Sequence, residues 1–198
     1  MVKVTSLSEK EIEKIGEAFA DHEYADGEKG MAYLFGSRDN VKEYICGFTR
    51  AMLKSGCLYS TSEKHEAFIA YRYSNDKLAA SSGLELVKAI LKTIGLGGAI
   101  KMLKAMGRGG KSYEDIYKKT KKPYIFVGML AVCKKYQGQG YMRKALDIAF
   151  EEGRKRGCPV ILDTDAKLKR DKYVHLGMRN VQTRKFDDGA YLYDLVKD

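Results

Sequence analysis

Residues Gln137-Gly138-Gln139-Gly140-Tyr141-Met142-Arg143 stand between an almost uniformly apolar run, 124–132 (YIFVGMLAV), and a helical pattern over 141–156. Gly138 and Gly140 let successive main-chain N–H groups face one concavity, and the first turn of the helix adds unpaired donors and the positive end of its dipole. Such a turn is suited to holding a pyrophosphate. It is not a Walker A loop, because no Gly-Lys-Ser/Thr follows. Nor is it Gly-x-Gly-x-x-Gly, because Arg143 occupies the third glycine slot. Paired glycines at a strand–helix turn also serve plain geometry, so the spacing alone leaves both readings open.

The elements that position this turn follow from periodicity. The run 124–132 suits a central strand covered on both faces. The helix 141–156 turns Met142, Ala145, Leu146 and Ala149 inward and is stopped by Gly157. Residues 159–163 (PVILD) form a second buried strand. Strand, helical crossover, strand demands a parallel pair with a right-handed connection. Upstream, Ser8 and Glu11 fit a capping box that opens a helix to about Ala20. Residues 21–39 predict a loop with a short helical piece, and Asn40 caps a second helix stopped by Ser55-Gly56. Residues 57–61 and 67–73 predict a hairpin. Downstream, a short helix over 168–176 ends at Gly177, and 179–186 and 190–196 predict a terminal hairpin around Asp188-Gly189.

Two motifs in register resemble one family. Gln137-Gly138-Gln139-Gly140-Tyr141-Met142 resembles the Q/R-x-x-G-x-G/A acyl-CoA motif of the GCN5-related N-acetyltransferases (GNAT), following a strand that ends Leu130-Ala131-Val132. Leu162-Asp163-Thr164-Asp165 and Tyr173-Val174-His175-Leu176-Gly177-Met178 resemble the closing "LET…fYeklGF" of the same superfamily, in the branch that includes puromycin N-acetyltransferase. The match covers residues 124–178. It departs at Met142 (last Gly/Ala of the loop), Lys134 (often Pro) and Lys169 (often a CoA-contacting Asn).

The resemblance implies an α/β (α+β) GNAT acyl-CoA N-acyltransferase fold: a mixed, mostly antiparallel sheet with a splayed parallel strand pair and helices on both faces. It implies one domain over 1–198, with a basic helical insertion at about 84–122. Acetyl-CoA is the implied cofactor, its pantetheine arm paired with Leu130 and Val132. The implied pyrophosphate site is the main chain of Gln137, Gly138, Gln139, Gly140, Tyr141 and Met142, with Arg143, Lys134, Lys135 and Lys169 within reach of the cofactor. A main-chain N–H near Leu130 is the implied oxyanion donor, and Tyr173 the acid that protonates the departing thiolate. The implied reaction acetylates a primary amine of a small molecule, with O-acylation and longer acyl groups left open. The alternative is a non-catalytic module that binds CoA or an anionic surface on the same scaffold. The strand 124–132 carries no general base; His65, Glu66, His175, Asp194 and the C-terminal carboxylate of Asp198 are the candidates. Acceptor contacts are expected from 21–39, the basic segment and the turn 187–189. Tyr24, Tyr33, Phe35 and Tyr124 are candidate pocket linings, although aromatics at such places are more often core.

The balance of 36 Lys and Arg against 26 Asp and Glu gives +10. Between 84 and 122 stand ten basic residues and three acidic ones, a net +7. A basic field favours anionic partners, but no nucleic-acid-binding motif accompanies it, so no specific nucleic-acid partner is expected. For this segment we take as expectation an insertion that packs its apolar face on the core; a lid, a membrane-surface element or a partner-binding helix pair are the alternatives. A length of 198 residues with 44% apolar content builds a core without staples. No apolar run spans a bilayer, and the N-terminus carries no secretory signal. The four scattered cysteines suit free thiols in a reducing cytoplasm, with no metal site. A homodimer is admitted.

Overall fold

The computed structural model describes residues 1–198 except 23, 25, 26, 77, 78, 187 and 188. Seven strands form one sheet in the order β1 (Val2–Lys3), β2 (Leu58–Ser60), β3 (Ala67–Tyr73), β4 (Ile125–Val132), β5 (Val160–Thr164), β7 (Tyr191–Lys197), β6 (Arg179–Lys185). Only β4 and β5 are parallel; every other neighbouring pair is antiparallel. The mixed, mostly antiparallel sheet expected from the sequence is thus present.

Helices cover both faces. On one, α1 (Glu9–Ala20) and α3 (Arg38–Lys54) bury Ile15, Val41, Ile45 and Met52 against Phe68, Ala70, Met129 and Ala131. On the other, α6 (Tyr141–Arg156) and α7 (Lys167–His175) bury Leu146, Ala149 and Tyr173 against Ile69, Val127 and Leu162. A third cluster joins Tyr113 and Tyr117 of α5 (Tyr113–Thr120) to Tyr124, Phe126 and Ile161. The short α2 (Met31–Phe35) lies within the 21–39 connection. The Ser8–Glu11 capping box forms as expected. The second helix differs: its cap is Ser37, whose hydroxyl accepts from the Asn40 N–H at 3.1 Å, so Asn40 is the donor rather than the cap.

One irregularity organises β4. Met129 pairs with Ala70 but Val127 pairs with Tyr71, so Gly128 is an extra, bulged residue. Below it Ile125 and Val127 face α6 and α7; above it Leu130 and Val132 do, and Met129 and Ala131 face α3.

The basic segment departs from expectation. Helix α4 (Ala80–Arg108) begins before Leu84 and packs on α3 through Ser82, Ala89 and Thr93, while Leu84, Val87 and Leu91 point outward. Ala89 approaches Gly47 so closely that a Cβ there would lie 2.4 Å away, and Leu86 and Ile94 pack on the core to either side. The helix kinks at Gly95, whose φ of 64° and ψ of 179° belong to a region open essentially only to glycine. Gly95→Ala is expected to lower stability by about 1–3 kcal/mol, read as a lower urea midpoint at unchanged slope.

Candidate functional site

The parallel ladder runs from Ile125–Val160 to Val127–Leu162 and stops there. Beyond the Gly128 bulge, β4 continues for four residues paired only with β3, leaving a gap toward β5. The main-chain orientation in that gap follows from one bond: the Cys133 N–H donates to the Glu66 carbonyl at 2.9 Å, on the β3 side. Alternation along a strand then turns the N–H and C=O groups of Val132 and Leu130 away from β3, into the gap. The Val132 carbonyl also accepts from Gln137 Nε2 at 3.2 Å, which ties the turn to the strand end.

The turn is open. A single 3-10 turn at Lys134–Tyr136 takes the Gln137 N–H on the Lys134 carbonyl, and Gln139 Nε2 donates to the Lys135 carbonyl at 2.9 Å. Gly138 and Gly140 have φ of 75° and 78°, and Gly140 caps α6 without any side chain over it. From Gly138 to Arg143, six successive N–H groups donate to no acceptor among the described residues. The stretch 137–140 is solvent-exposed. The main-chain N–H and the side chain of Gln137 are thus both used within the turn, and the free N–H groups begin at Gly138. Lys134 pairs with Asp21 at 3.5 Å, and the Lys135 ammonium lies 4.6 Å from the Tyr136 ring centroid.

Tyr173 sits in the cluster beneath this gap, together with Leu130, Val132, Tyr141 and Met142. It is 7% exposed, and its hydroxyl bonds to no protein group among the described residues. Burial first, then the carboxylates of Asp165 and Asp163, raise its pKa above the ordinary phenol value. The phenol therefore stays protonated at neutral pH.

The opposite side of the gap holds a carboxylate the sequence analysis did not single out. Asp163 follows Leu162 on β5 and shares a face with Ile161, toward Phe126. Surrounding protein pushes its pKa up to about 6, against the pull of the Arg184 guanidinium and with help from Asp194 and Glu114. Its side chain nonetheless remains 36% exposed. Arg184 is buried and bidentate to buried Asp194 at 2.8 and 2.9 Å, and its Nη2 reaches Asp163 Oδ2 at 3.0 Å. That leaves Asp163 Oδ1 without a partner among the described residues. Around it stand half-buried aromatics: Phe126, Phe48, whose ring lies 3.0 Å from where a Gly128 Cβ would be, and Tyr44, whose pKa burial and then Asp163 raise. The signal in the sequence was an acid inside a strand that is otherwise apolar.

Three of the expected bases are engaged elsewhere: His65 Nδ1 meets Glu11 at 3.0 Å, Glu66 accepts from Thr61 and Ser62, and Asp194 holds Arg184. At Asp198 it is the side chain, not the terminal carboxylate, that pairs with Arg179. His175 ends α7, exposed. Lys169 is drawn into a second cluster: its ammonium is 3.6 Å from Asp165 and 4.5 Å from the Phe19 ring centroid. There Tyr24 donates to Asp165 at 2.6 Å and the Met31 N–H to the same oxygen at 3.0 Å, pinning the 21–39 connection to the end of β5. Burial holds the neighbouring His22 at about 4, and its Nε2 has no partner among the described residues. Phe35 and Tyr124 are core, whereas Tyr33 is exposed. In the turn 187–189, Asp187 and Asp188 lie outside the described residues.

A parted parallel strand pair, with free main-chain donors on one side and a phenol beneath, defines an acyltransferase scaffold. The model of the acetyltransferase (GNAT) family matches residues 59–175, more than half of the chain, and the chain belongs to that family. Arylalkylamine N-acetyltransferase 2 of Aedes aegypti, 11% identical, superimposes with a TM-score of 0.57 over 97% of this chain and 96% of that one. A Drosophila melanogaster polyamine N-acetyltransferase, which forms N-acetylagmatine, is 12% identical with a TM-score of 0.53 over 97% of both chains. Both show the shared fold. An Agrobacterium tumefaciens chain described as an acetyltransferase is 30% identical over 37% of this chain, with a TM-score of 0.35; this chain spans 56% of its length. No curated protein sequence gives a significant match. Among the described residues, no helix is long and apolar enough to cross a membrane.

Proposed function

We propose that the chain is an acetyl-CoA-dependent N-acetyltransferase that passes the acetyl group to a primary amine of a small molecule, by direct attack within a ternary complex. The observation that carries this reading is the gap beyond Val127 and Leu162, with Leu130 and Val132 turned into it beside six free N–H groups. These donors fit a pyrophosphate: they are contiguous, exposed and at the positive end of a sixteen-residue helix. Acetyl-CoA would supply an activated acyl thioester. The main chain of Leu130 and Val132 aligns its arm, and the Leu130 N–H meets the negative charge that develops on the carbonyl oxygen. Asp163 takes the proton from the amine, and Tyr173 gives one to the departing thiolate.

The acceptor side supports an amine. A carboxylate among Tyr44, Phe48 and Phe126 suits a cation carried on an apolar body. The resemblance to the branch that includes puromycin N-acetyltransferase points the same way, to a small molecule.

Acetyl-CoA at a hundred times its dissociation constant is expected to stabilise the fold by about 2.7 kcal/mol, seen as a raised Tm. A thiol-release screen over aminoglycosides, polyamines, amino acids, nucleoside antibiotics and peptides then finds the acceptor. Absence of any shift sinks the reading; a shift without thiol release from any amine leaves a CoA-binding module.

A further inference from the structure

Seven of the fourteen large apolar side chains exposed among the described residues stand on α4. After the kink, Leu96, Ile100 and Leu103 recur at i, i+4 and i+7 as one outward stripe, with Leu96 69% and Leu103 65% exposed. Lys101, Lys104 and Arg108 lie along one flank of that stripe, while Gly98, Met102 and Ala105 turn half-buried toward the protein. Before the kink a second exposed apolar row runs through Leu84, Val87 and Leu91, beside Lys88 and Lys92.

This face is held in place rather than dangling. Lys54 pairs with Glu85 at 2.6 Å and Lys92 with Glu43 at 2.7 Å, both fixing α4 to α3. At the far end, Gly109 lies so close to Phe186, beside the β6–β7 turn, that a Cβ would overlap its ring at 2.2 Å. Glu85 is the helix's only acid and is already spent on α3.

We propose that this outer face of α4 docks on an anionic lipid bilayer, with the apolar stripe sunk to the headgroup–acyl boundary and the lysines on lipid phosphates. A helix lying in the interface needs an apolar face one helix wide and a cationic flank, and both are present. The charge argues against the other occupants. A second copy would set Lys101 and Lys104 against their own counterparts. A nucleic acid would lay polar phosphates on Leu96, Ile100 and Leu103. Attachment of this kind is to the surface and needs no crossing helix. It stands apart from the acetyl-transfer reading, since none of these side chains belongs to the gap.

The test is flotation with vesicles of phosphatidylcholine, with and without phosphatidylglycerol. The protein is expected to float with the anionic vesicles and to be released by high salt. Lys101→Glu with Lys104→Glu is expected to weaken partitioning roughly thirtyfold or more. Leu96→Gln with Leu103→Gln is expected to abolish it, all variants keeping the parent's circular dichroism and Tm. No flotation of the folded parent overturns the proposal. So does flotation indifferent to both pairs of substitutions, or a concentration-dependent dimer, dissolved by Leu103→Gln, in place of lipid binding.

Discussion

Asp163→Asn is expected to lower kcat/KM about 10²-fold and to remove the acid limb of the pH–rate profile. A carboxylate that accepts a proton must be ionised, so with a pKa near 6 the parent's rate should climb through pH 6 and level off above it. The variant should be slow and flat across the same range. A structural explanation predicts something else. The fold holds this proton more tightly than the unfolded chain, whose ordinary value is 3.8. Ionisation therefore costs stability as pH rises from about 4 to 6, and that cost persists above. The amide escapes it, and Arg184 keeps its bidentate partner Asp194. The variant's Tm above pH 6 should thus equal or exceed the parent's. A slow variant that has also lost stability there, or one that retains the acid limb, would remove Asp163 from the role.

Tyr173→Phe is expected to cut kcat by about 10²-fold while acetyl-CoA still stabilises the protein as it does the parent. Among the described residues the hydroxyl has no partner to lose, and the ring remains to fill the cluster with Leu130 and Met142. What disappears is a proton donor kept neutral by burial, opposite a thiolate whose conjugate acid has a pKa of roughly 8.5. The deficit should shrink with acyl donors whose leaving thiol is more acidic, because such a group departs without help. Unchanged kcat would show that water protonates the thiolate instead.

Local chemistry was the legible part of this chain. The helix Tyr141–Arg156 was readable to the residue, because a glycine pair opens it and Gly157 closes it with φ of 61°. The parallel pair was forced by the crossover, and the Ser8–Glu11 box by spacing alone. What escaped depends on distant contacts. Asp163 reads as the polar end of a buried strand until Arg184, twenty-one positions on, and Asp194 close around it. Lys169 sits where a cofactor contact is expected, but Asp165 and the Phe19 face claim its ammonium. In α4 the apolar spacing suggested an inward face. Ile94 does pack inward, with Leu86, but the close approach of Ala89 to Gly47 sets the contact line and leaves Leu84, Val87 and Leu91 outside it.

The single surplus residue at Gly128 has an effect on heredity as well as on shape. It makes β4 two half-strands of opposite phase, so the same position parity means core under α6 below it and core under α3 above it. A descendant that dropped this one codon would pair one-to-one with β3 and keep Leu130 and Val132 along the gap, losing only the bulge, whereas one that kept the codon and straightened the strand would turn its upper half inside out and bring Met129 and Ala131 there. What must be inherited is the pairing of one residue of β3 against two of β4 for as long as the surplus residue is present.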